Sequence, residues 1–288
     1  MTGTYLDRLA ARSAATGTVL CLGLDPDPDA LPNGFSRDIA GIERFAALVL
    51  ESALPFAAAV KPNLAFFEAY GSAGLAALER LRAGIPGDVP VVADGKRGDI
   101  GSTAARQAVA LFDALGADAV TVNPYLGPDA ITPLLERGDR FAYVLCRTSN
   151  PGAGTIQDLA LPADPGSGAP AERLHERIAR LAATWGPGGT VGLVVGATAP
   201  DEIAAIRSVA PGLAFLVPGV GTQGGALGPV LAHGPAVAPP AAGRAGAGLL
   251  VNVSRAIAAP AGGSPPGDPA EHVATAAAEW AARLPVLP

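Results

Sequence analysis

The sequence predicts an α/β protein, a (β/α)8 TIM barrel formed as a single domain over residues 1–288, and three observations carry that prediction. Eight short apolar or β-branched runs recur, amphipathic stretches separate most of them, and the polar residues able to do chemistry gather just after the runs. The runs are Thr18 to Leu24, Ala58 to Lys61, Val89 to Ala93, Ala119 to Val122, Phe141 to Cys146, Val191 to Val195, Ala214 to Val217 and Leu249 to Val253. Helical periodicity follows in Ile42 to Leu54, Ala73 to Leu81, Ser102 to Leu115, Ala171 to Trp185 and Pro200 to Val209. An open doubly wound sheet shares this alternation, but eight units favour closure. Pro/Gly-rich stretches at Leu161 to Pro170, Gly234 to Gly248 and Pro260 to Pro269 are short and read as surface loops rather than linkers. The stretch at Gly234 to Gly248 is the unusual one, and nothing in its composition says where it packs.

Composition narrows the partners. The net charge is −6, no basic run occurs and charged residues make up only 16%, which offers nucleic acid or an anionic membrane nothing to hold. Apolar runs fall short of the ~18 residues of a membrane helix, and Thr18 to Leu24 lacks a basic leader, so a soluble, cytoplasmic protein acting on a small ligand is expected. Cys21 and Cys146 lie inside strand-like runs, which argues against a disulfide framework. His175, His233 and His272 have no second ligand at metal spacing, so no metal is predicted and the histidines are given no chemistry.

Lysine usage points to the chemistry. Lys61 and Lys96 are the only lysines, beside eighteen arginines. An arginine stays protonated near neutral pH, whereas an ammonium can be tuned, so lysine is kept where chemistry needs it. Both end strand candidates, and on this barrel the C-terminal strand ends carry the site. Asp25 follows the first strand, Lys61 and Asn63 the second, Asp94 and Lys96 the third, Asn123 the fourth, Ser149 and Asn150 the fifth, and Ser254 and Arg255 the eighth. Residues two apart in an extended strand share a face, so Asp94 and Lys96 project together toward the barrel mouth. With Lys61 from the neighbouring strand and Asp99 beyond, an alternating array Lys61, Asp94, Lys96, Asp99 is expected, its carboxylates held ionised. The partner of Asp99 is either Lys96 or a residue of another chain. Such a cluster is weak evidence for stability, which leaves function as its explanation.

The segment Asp94-Gly-Lys-Arg-Gly-Asp99-Ile-Gly-Ser-Thr103 resembles the Asp-x-Lys-x-x-Asp-x-x-x-Thr signature of orotidine 5'-phosphate decarboxylases, in the longer bacterial branch. Lys61 falls where that family has its other catalytic lysine. Thr148-Ser149-Asn150-Pro151-Gly152 resembles the pyrimidine-contacting segment after strand five, Leu216-Val-Pro218-Gly-Val-Gly-Thr-Gln223 the phosphate loop after strand seven, and Ser254-Arg255 the phosphate-gripping end of strand eight. The matches run in the family's order from Asp25 to Arg255. A Gly-rich loop lets backbone N–H groups approach a phosphate, Gln223 adds an amide and Arg255 a fork of donors.

The resemblance implies a cofactor-free lyase of pyrimidine biosynthesis that converts orotidine monophosphate to uridine monophosphate and CO2. Asp94 would press on the substrate carboxylate, Lys96 would protonate the C6 carbanion, Lys61 would orient Asp94 and the ribose, and Asp99 would hold Lys96 and bind ribose. Asp25, Thr103, Asn123, Ser149, Pro218, Gln223, Ser254 and Arg255 would bind substrate, and Asp99 and Thr103 would reach the site of a second subunit in a homodimer. Two rivals stand beside it. Magnesium-dependent sugar-phosphate decarboxylases and aldolases of the same barrel group share the signature but carry acidic ligands where this chain has Lys61. The other is a non-catalytic nucleotide-binding barrel that senses a phosphorylated metabolite, against which the intact set Lys61, Asp94, Lys96 and Asp99 speaks.

Overall fold

The computed structural model describes residues 3–163, 166, 168, 170–262 and 268–287, so parts of the predicted loops at Leu161 to Pro170 and Pro260 to Pro269 lie outside the described residues. Eight parallel strands form one sheet: β1 (Leu20–Leu24), β2 (Ala59–Pro62), β3 (Val92–Arg97), β4 (Ala119–Val122), β5 (Phe141–Arg147), β6 (Val191–Val195), β7 (Ala214–Val217) and β8 (Leu249–Val253). They pair in the order β2-β1-β8-β7-β6-β5-β4-β3. Parallel bridges from Val60 to Val91 and from Asn63 to Asp94 bring the two ends together and close the barrel. Helices Ile39–Ala53, Gly71–Gly84, Gly101–Ala108, Leu174–Ala182, Pro200–Val209, Leu227–His233 and Pro269–Arg283 lie between or after the strands. The predicted helix at Ser102 to Leu115 ends in a π-helical turn, Val109–Ala114. The one predicted from Ala171 starts only at Leu174, because Glu172–Arg173 pairs antiparallel with Ala160–Leu161.

The period of two along each strand sorts side chains into two cores. Outward residues such as Leu22, Val60, Val120, Val144, Leu193, Phe215 and Val251 pack under the helices. Inward residues Cys21, Ala59, Val92, Ala119, Phe141, Tyr143, Leu216 and Leu250 fill the barrel together with Tyr5, Leu6 and Leu9. The last three belong to a helix that the hydrophobic pattern did not predict, Tyr5–Thr16. A capping box starts it: Asp7 N–H donates to Thr4 Oγ1 at 3.3 Å, and Thr4 N–H donates to the Asp7 carboxylate at 3.1 Å. Tyr5 stacks on Phe141 with ring centroids 4.7 Å apart and meets the Tyr143 hydroxyl at 3.1 Å, which plugs the N-terminal end of the barrel.

The Pro/Ala/Gly-rich stretch at Gly234 to Gly248 packs at that same end, away from the strand ends that carry Lys61 and Asp94. Val237 and Ala238 N–H both donate to Pro211 O, Ala236 N–H donates to Ala247 O, and Arg244 pairs with Asp7 at 3.0 Å. Buried Arg207 ties down its start, donating to the carbonyls of His233 and Gly234 and lying 3.6 Å over the Phe215 ring. Among the described residues no helix is long and apolar enough to cross a membrane.

Candidate active site

The inward row that is apolar through the barrel turns polar one step before the mouth. Lys61 succeeds Ala59 on β2, Asp94 succeeds Val92 on β3, Thr121 succeeds Ala119 on β4 and Asn252 succeeds Leu250 on β8. Asp94 is the centre: its Oδ2 accepts from Lys61 Nζ at 2.6 Å, and its Oδ1 accepts from Lys96 Nζ at 2.8 Å and Thr121 Oγ1 at 2.8 Å. The side chains of Lys61 and Asp94 are 5% and 12% exposed, whereas Lys96 is 51% exposed and can exchange protons with solvent. Burial disfavours the charges on Lys61 and Asp94. The pairing outweighs it: Asp94 and Asp25 hold the Lys61 ammonium well above its ordinary range, and Lys61 and Lys96 hold the Asp94 carboxyl well below the usual carboxylate range.

The Asp94–Lys96 contact does not come from a straight strand. The β3 register shifts between Ala93 and Arg97, and Lys96 has φ of 48°, a left-handed conformation rare for a side-chain-bearing residue. Its N–H donates to Thr121 Oγ1 at 3.0 Å, so Thr121 holds both the bulge and the carboxylate. Thr121 and Asn252 escaped sequence reasoning. Their only signal was a single polar residue inside an apolar run, at the inward parity.

Asp99 stands apart from the array. Its Oδ1 accepts from Ile100 N–H at 2.7 Å, and among the described residues it makes no ion pair with Lys96. The reason lies in the backbone after the bulge: Gly98 packs against Asn123 O, and Asp99 N–H donates to Ala130 O at 3.2 Å, which draws the chain toward the loop after β4. Of the two partners left open for Asp99, Lys96 of the same chain is therefore not the one. Thr103 is exposed on the helix that follows. Asn123 is also outside, its Oδ1 capping the turn Pro124–Leu126 through Tyr125 N–H at 3.0 Å and its side chain lining a separate cavity.

A polar cavity of about 160 Å³ gathers most of the remaining predicted residues: Asp25, Lys61, Asp94, Ser149, Pro218, Gln223, Ser254 and Arg255, together with Asn63 and Asn252. A second cavity, of about 360 Å³, shares Lys61, Asp94, Ser149 and Pro218 and adds Lys96, Thr121 and Leu145. Asp25 Oδ1 and Asn252 Oδ1 are buried without a hydrogen-bond partner, two acceptors that a ligand's hydroxyls can satisfy. Arg255 has no acidic partner among the described residues and lies beside the loop Gly219 to Gly225, where Gly219, Gly221 and Gly224 all have positive φ. Ser149 Oγ donates to Gln223 Oε1 at 3.2 Å, joining the loop after β5 to the loop after β7. Gly219 permits this, since a Cβ there would sit 2.9 Å from Ser149 Cβ and 3.1 Å from Gln223 Oε1. Among the described residues no group of three or more His, Cys, Asp or Glu converges as a metal site.

A closed parallel barrel with a Lys–Asp–Lys cluster at its strand ends, its Lys61–Asp94 pair buried, beside a glycine loop and a free arginine, defines a (β/α)8 enzyme of the phosphate-binding class. A family model described as "Orotidine 5'-phosphate decarboxylase / HUMPS family" matches residues 18–264, and the chain belongs to that family. It is 45% identical over 273 residues to the orotidine 5'-phosphate decarboxylase of Herpetosiphon aurantiacus, covering 94% of this chain and 96% of that one. The enzyme of the same name from Thermomicrobium roseum is 45% identical over 257 residues, covering 88% and 86%. Among solved structures, the Leishmania donovani OMP decarboxylase superposes with a TM-score of 0.78 at 36% identity, covering 96% of both chains.

Proposed function

We propose that this protein is an orotidine 5'-phosphate decarboxylase, one barrel domain that converts orotidine monophosphate to uridine monophosphate and CO2 without a cofactor. The observation that carries the reading is Asp94, gripped by Lys61 and Lys96 at the mouth and flanked by an open cavity. The substrate carboxylate lies against Asp94, whose charge is locked on, and repulsion between the two disfavours the bound ground state. The C6–carboxylate bond breaks, CO2 departs and the electron pair remains on C6. Lys96 Nζ stabilises that charge and transfers a proton to C6, then regains one from water. Lys61 keeps Asp94 in place and donates to the ribose, and Asp25 accepts from a ribose hydroxyl.

Ser149 bonds the pyrimidine edge, while Pro218, Gln223, Ser254 and Arg255 enclose the phosphate, whose binding energy closes the loop and excludes water. Asp99, Thr103 and Asn123 take no part in their own chain's cavity. Asp99 and Thr103 complete the site of a second subunit in a homodimer, a reading supported by the exposed apolar residues Ile100, Tyr125 and Leu126 on the loops after β3 and β4. A cytoplasmic location fits two free, buried cysteines. The test is the ultraviolet absorbance of protein mixed with orotidine monophosphate, with and without excess chelator. Chelator-insensitive conversion of the orotate chromophore to that of uridylate is expected. No conversion with uridylate binding intact would favour the non-catalytic rival, and chelator-sensitive turnover the magnesium-dependent one.

A further inference from the structure

Among the buried titratable groups that this mechanism does not use, one sits behind the loop that carries Ser149. His175, 1% exposed, sits in the first turn of the helix Leu174–Ala182. Its Nδ1 lies 2.9 Å from Gln157 O and 3.2 Å from Asp158 Oδ1. A carbonyl oxygen only accepts, so Nδ1 carries the hydrogen whatever the charge on the ring, and that one N–H is shared between both oxygens. Asp158 is already held by Arg147, the last residue of β5, through Nε to Oδ1 at 2.8 Å and Nη2 to Oδ2 at 3.0 Å. Arg147 and Asp158 are thus the two ends of the loop 148–157, closed by a bidentate ion pair. Gly154 leaves space for the pair, since a Cβ there would lie 2.8 Å from Asp158 Oδ2.

Inside the loop the hydrogen bonds lead to one residue. Gln157 Oε1 accepts from Thr148 N–H at 2.8 Å, and Arg147 Nη1 donates to Thr148 O at 2.8 Å. The next residue is Ser149, whose backbone presses against Gly196 so closely that a Cβ on Gly196 would lie 2.6 Å from Ser149 N. A Phe at 175 would fill similar volume; the oxygens that the imidazole bridges account for its polarity. We propose that His175, acting through Gln157 and Asp158, is a positioning residue that fixes the loop carrying Ser149 for recognition of the pyrimidine. The inference rests on the reading of Ser149 given above.

The experiment compares His175→Phe, His175→Asn, Ser149→Ala and the double variant His175→Phe/Ser149→Ala, titrated with uridine monophosphate and with ribose 5-phosphate, which has no pyrimidine. His175→Phe should weaken uridine monophosphate about tenfold, the scale of one well-placed hydrogen bond, and leave ribose 5-phosphate unchanged. His175→Asn keeps an N–H at the Nδ1 position and should restore most of the loss. The double variant should bind no more weakly than Ser149→Ala alone, because the two changes act through one contact. Additive losses, an equal loss on ribose 5-phosphate, or His175→Asn as weak as His175→Phe would each overturn the proposal. Amide exchange of residues 148–157 needs no ligand and separates this idea from the functional reading. Faster exchange in His175→Phe or Asp158→Asn supports the clamp even if the wild-type protein turns out inactive, and unchanged exchange in both refutes it.

Discussion

The two ends of the barrel are built from the same strands, one inward step apart, and they do opposite things. At the floor, Ala59, Val92, Ala119 and Leu250 close around Tyr5, Phe141 and Tyr143, with the helix Tyr5–Thr16 and the segment 234–248 sealing them from water. At the mouth, Lys61, Asp94, Thr121 and Asn252 occupy the next inward positions and leave open cavities. Apolar burial at the floor stabilises the fold outright. At the mouth Lys61 and Asp94 are buried while Lys96 stays half-exposed, and a buried ion pair is weak evidence for stability, since apolar side chains of similar volume often do as well. The difference teaches that apolar packing at the floor serves stability and the ionic cluster at the mouth serves chemistry, so replacing the buried pair as a whole should cost activity without costing the fold.

The sharpest way to break this separation is to replace the buried pair by apolar side chains. Lys61→Met/Asp94→Leu should abolish decarboxylation yet keep the unfolding free energy within about 2 kcal/mol of wild type or raise it, whereas Asp94→Leu alone should cost about 3–5 kcal/mol by stranding the Lys61 charge. Chemical denaturation with an activity assay reads both. The floor offers the mirror image: Tyr5→Ala should lose about 3–5 kcal/mol in denaturant titrations while kcat, measured well below the melting temperature, is retained. At the mouth's far edge, Arg255→Ala should lower kcat/KM for orotidine monophosphate about a hundredfold but leave turnover of phosphate-free orotidine unchanged. An equal defect on both substrates would remove Arg255 from the phosphate site.

The smallest expected effect is on the pH dependence of stability. Asp94, with its native value lowered, stabilises the fold above the unfolded-state value of about 3.9, and that contribution is lost as pH falls through the native value. Lys61, with its native value raised, stabilises below about 10.4 and loses that contribution as pH rises through the native value. The pair therefore contributes a plateau from roughly pH 5 to 9. The difference in melting temperature between wild type and the double apolar variant should be flat across that window and change outside it.

Much of this was legible in the sequence, and the exceptions have physical causes. The strands announced themselves because both faces of a barrel strand are buried, which gives continuous apolar runs such as Val191 to Val195, and the helix Pro200–Val209 falls where its periodicity put it. Lys61 and Lys96 stood out as the only two lysines beside eighteen arginines, both at strand ends, and Asp94 as a charge two residues from Lys96 at the end of an apolar run. The helix Tyr5–Thr16 was missed because its large apolar buried residues are Tyr5, Leu6 and Leu9, all in its first turns, while Arg8 and Ser13, also buried, are polar, although Thr4 and Asp7 spelled out a capping box. Asp99 was read as lying beyond the strand with two partners left open, and the turn that draws it toward Ala130 after the bulge at Lys96 is not written in the local sequence. His175 read as unremarkable because its partners, Gln157 and Asp158, come from the preceding loop and meet it only in the fold.

The most direct test of the account is Lys96→Ala, assayed for turnover of orotidine monophosphate and, by calorimetry, for binding of uridine monophosphate. Loss of turnover by about 10⁴-fold or more, with product still bound, is the predicted result, because the proton donor is gone while the phosphate, ribose and pyrimidine contacts remain. Turnover near the wild-type rate would contradict the assignment of Lys96 and, with it, the chemistry proposed for the Lys61–Asp94–Lys96 cluster.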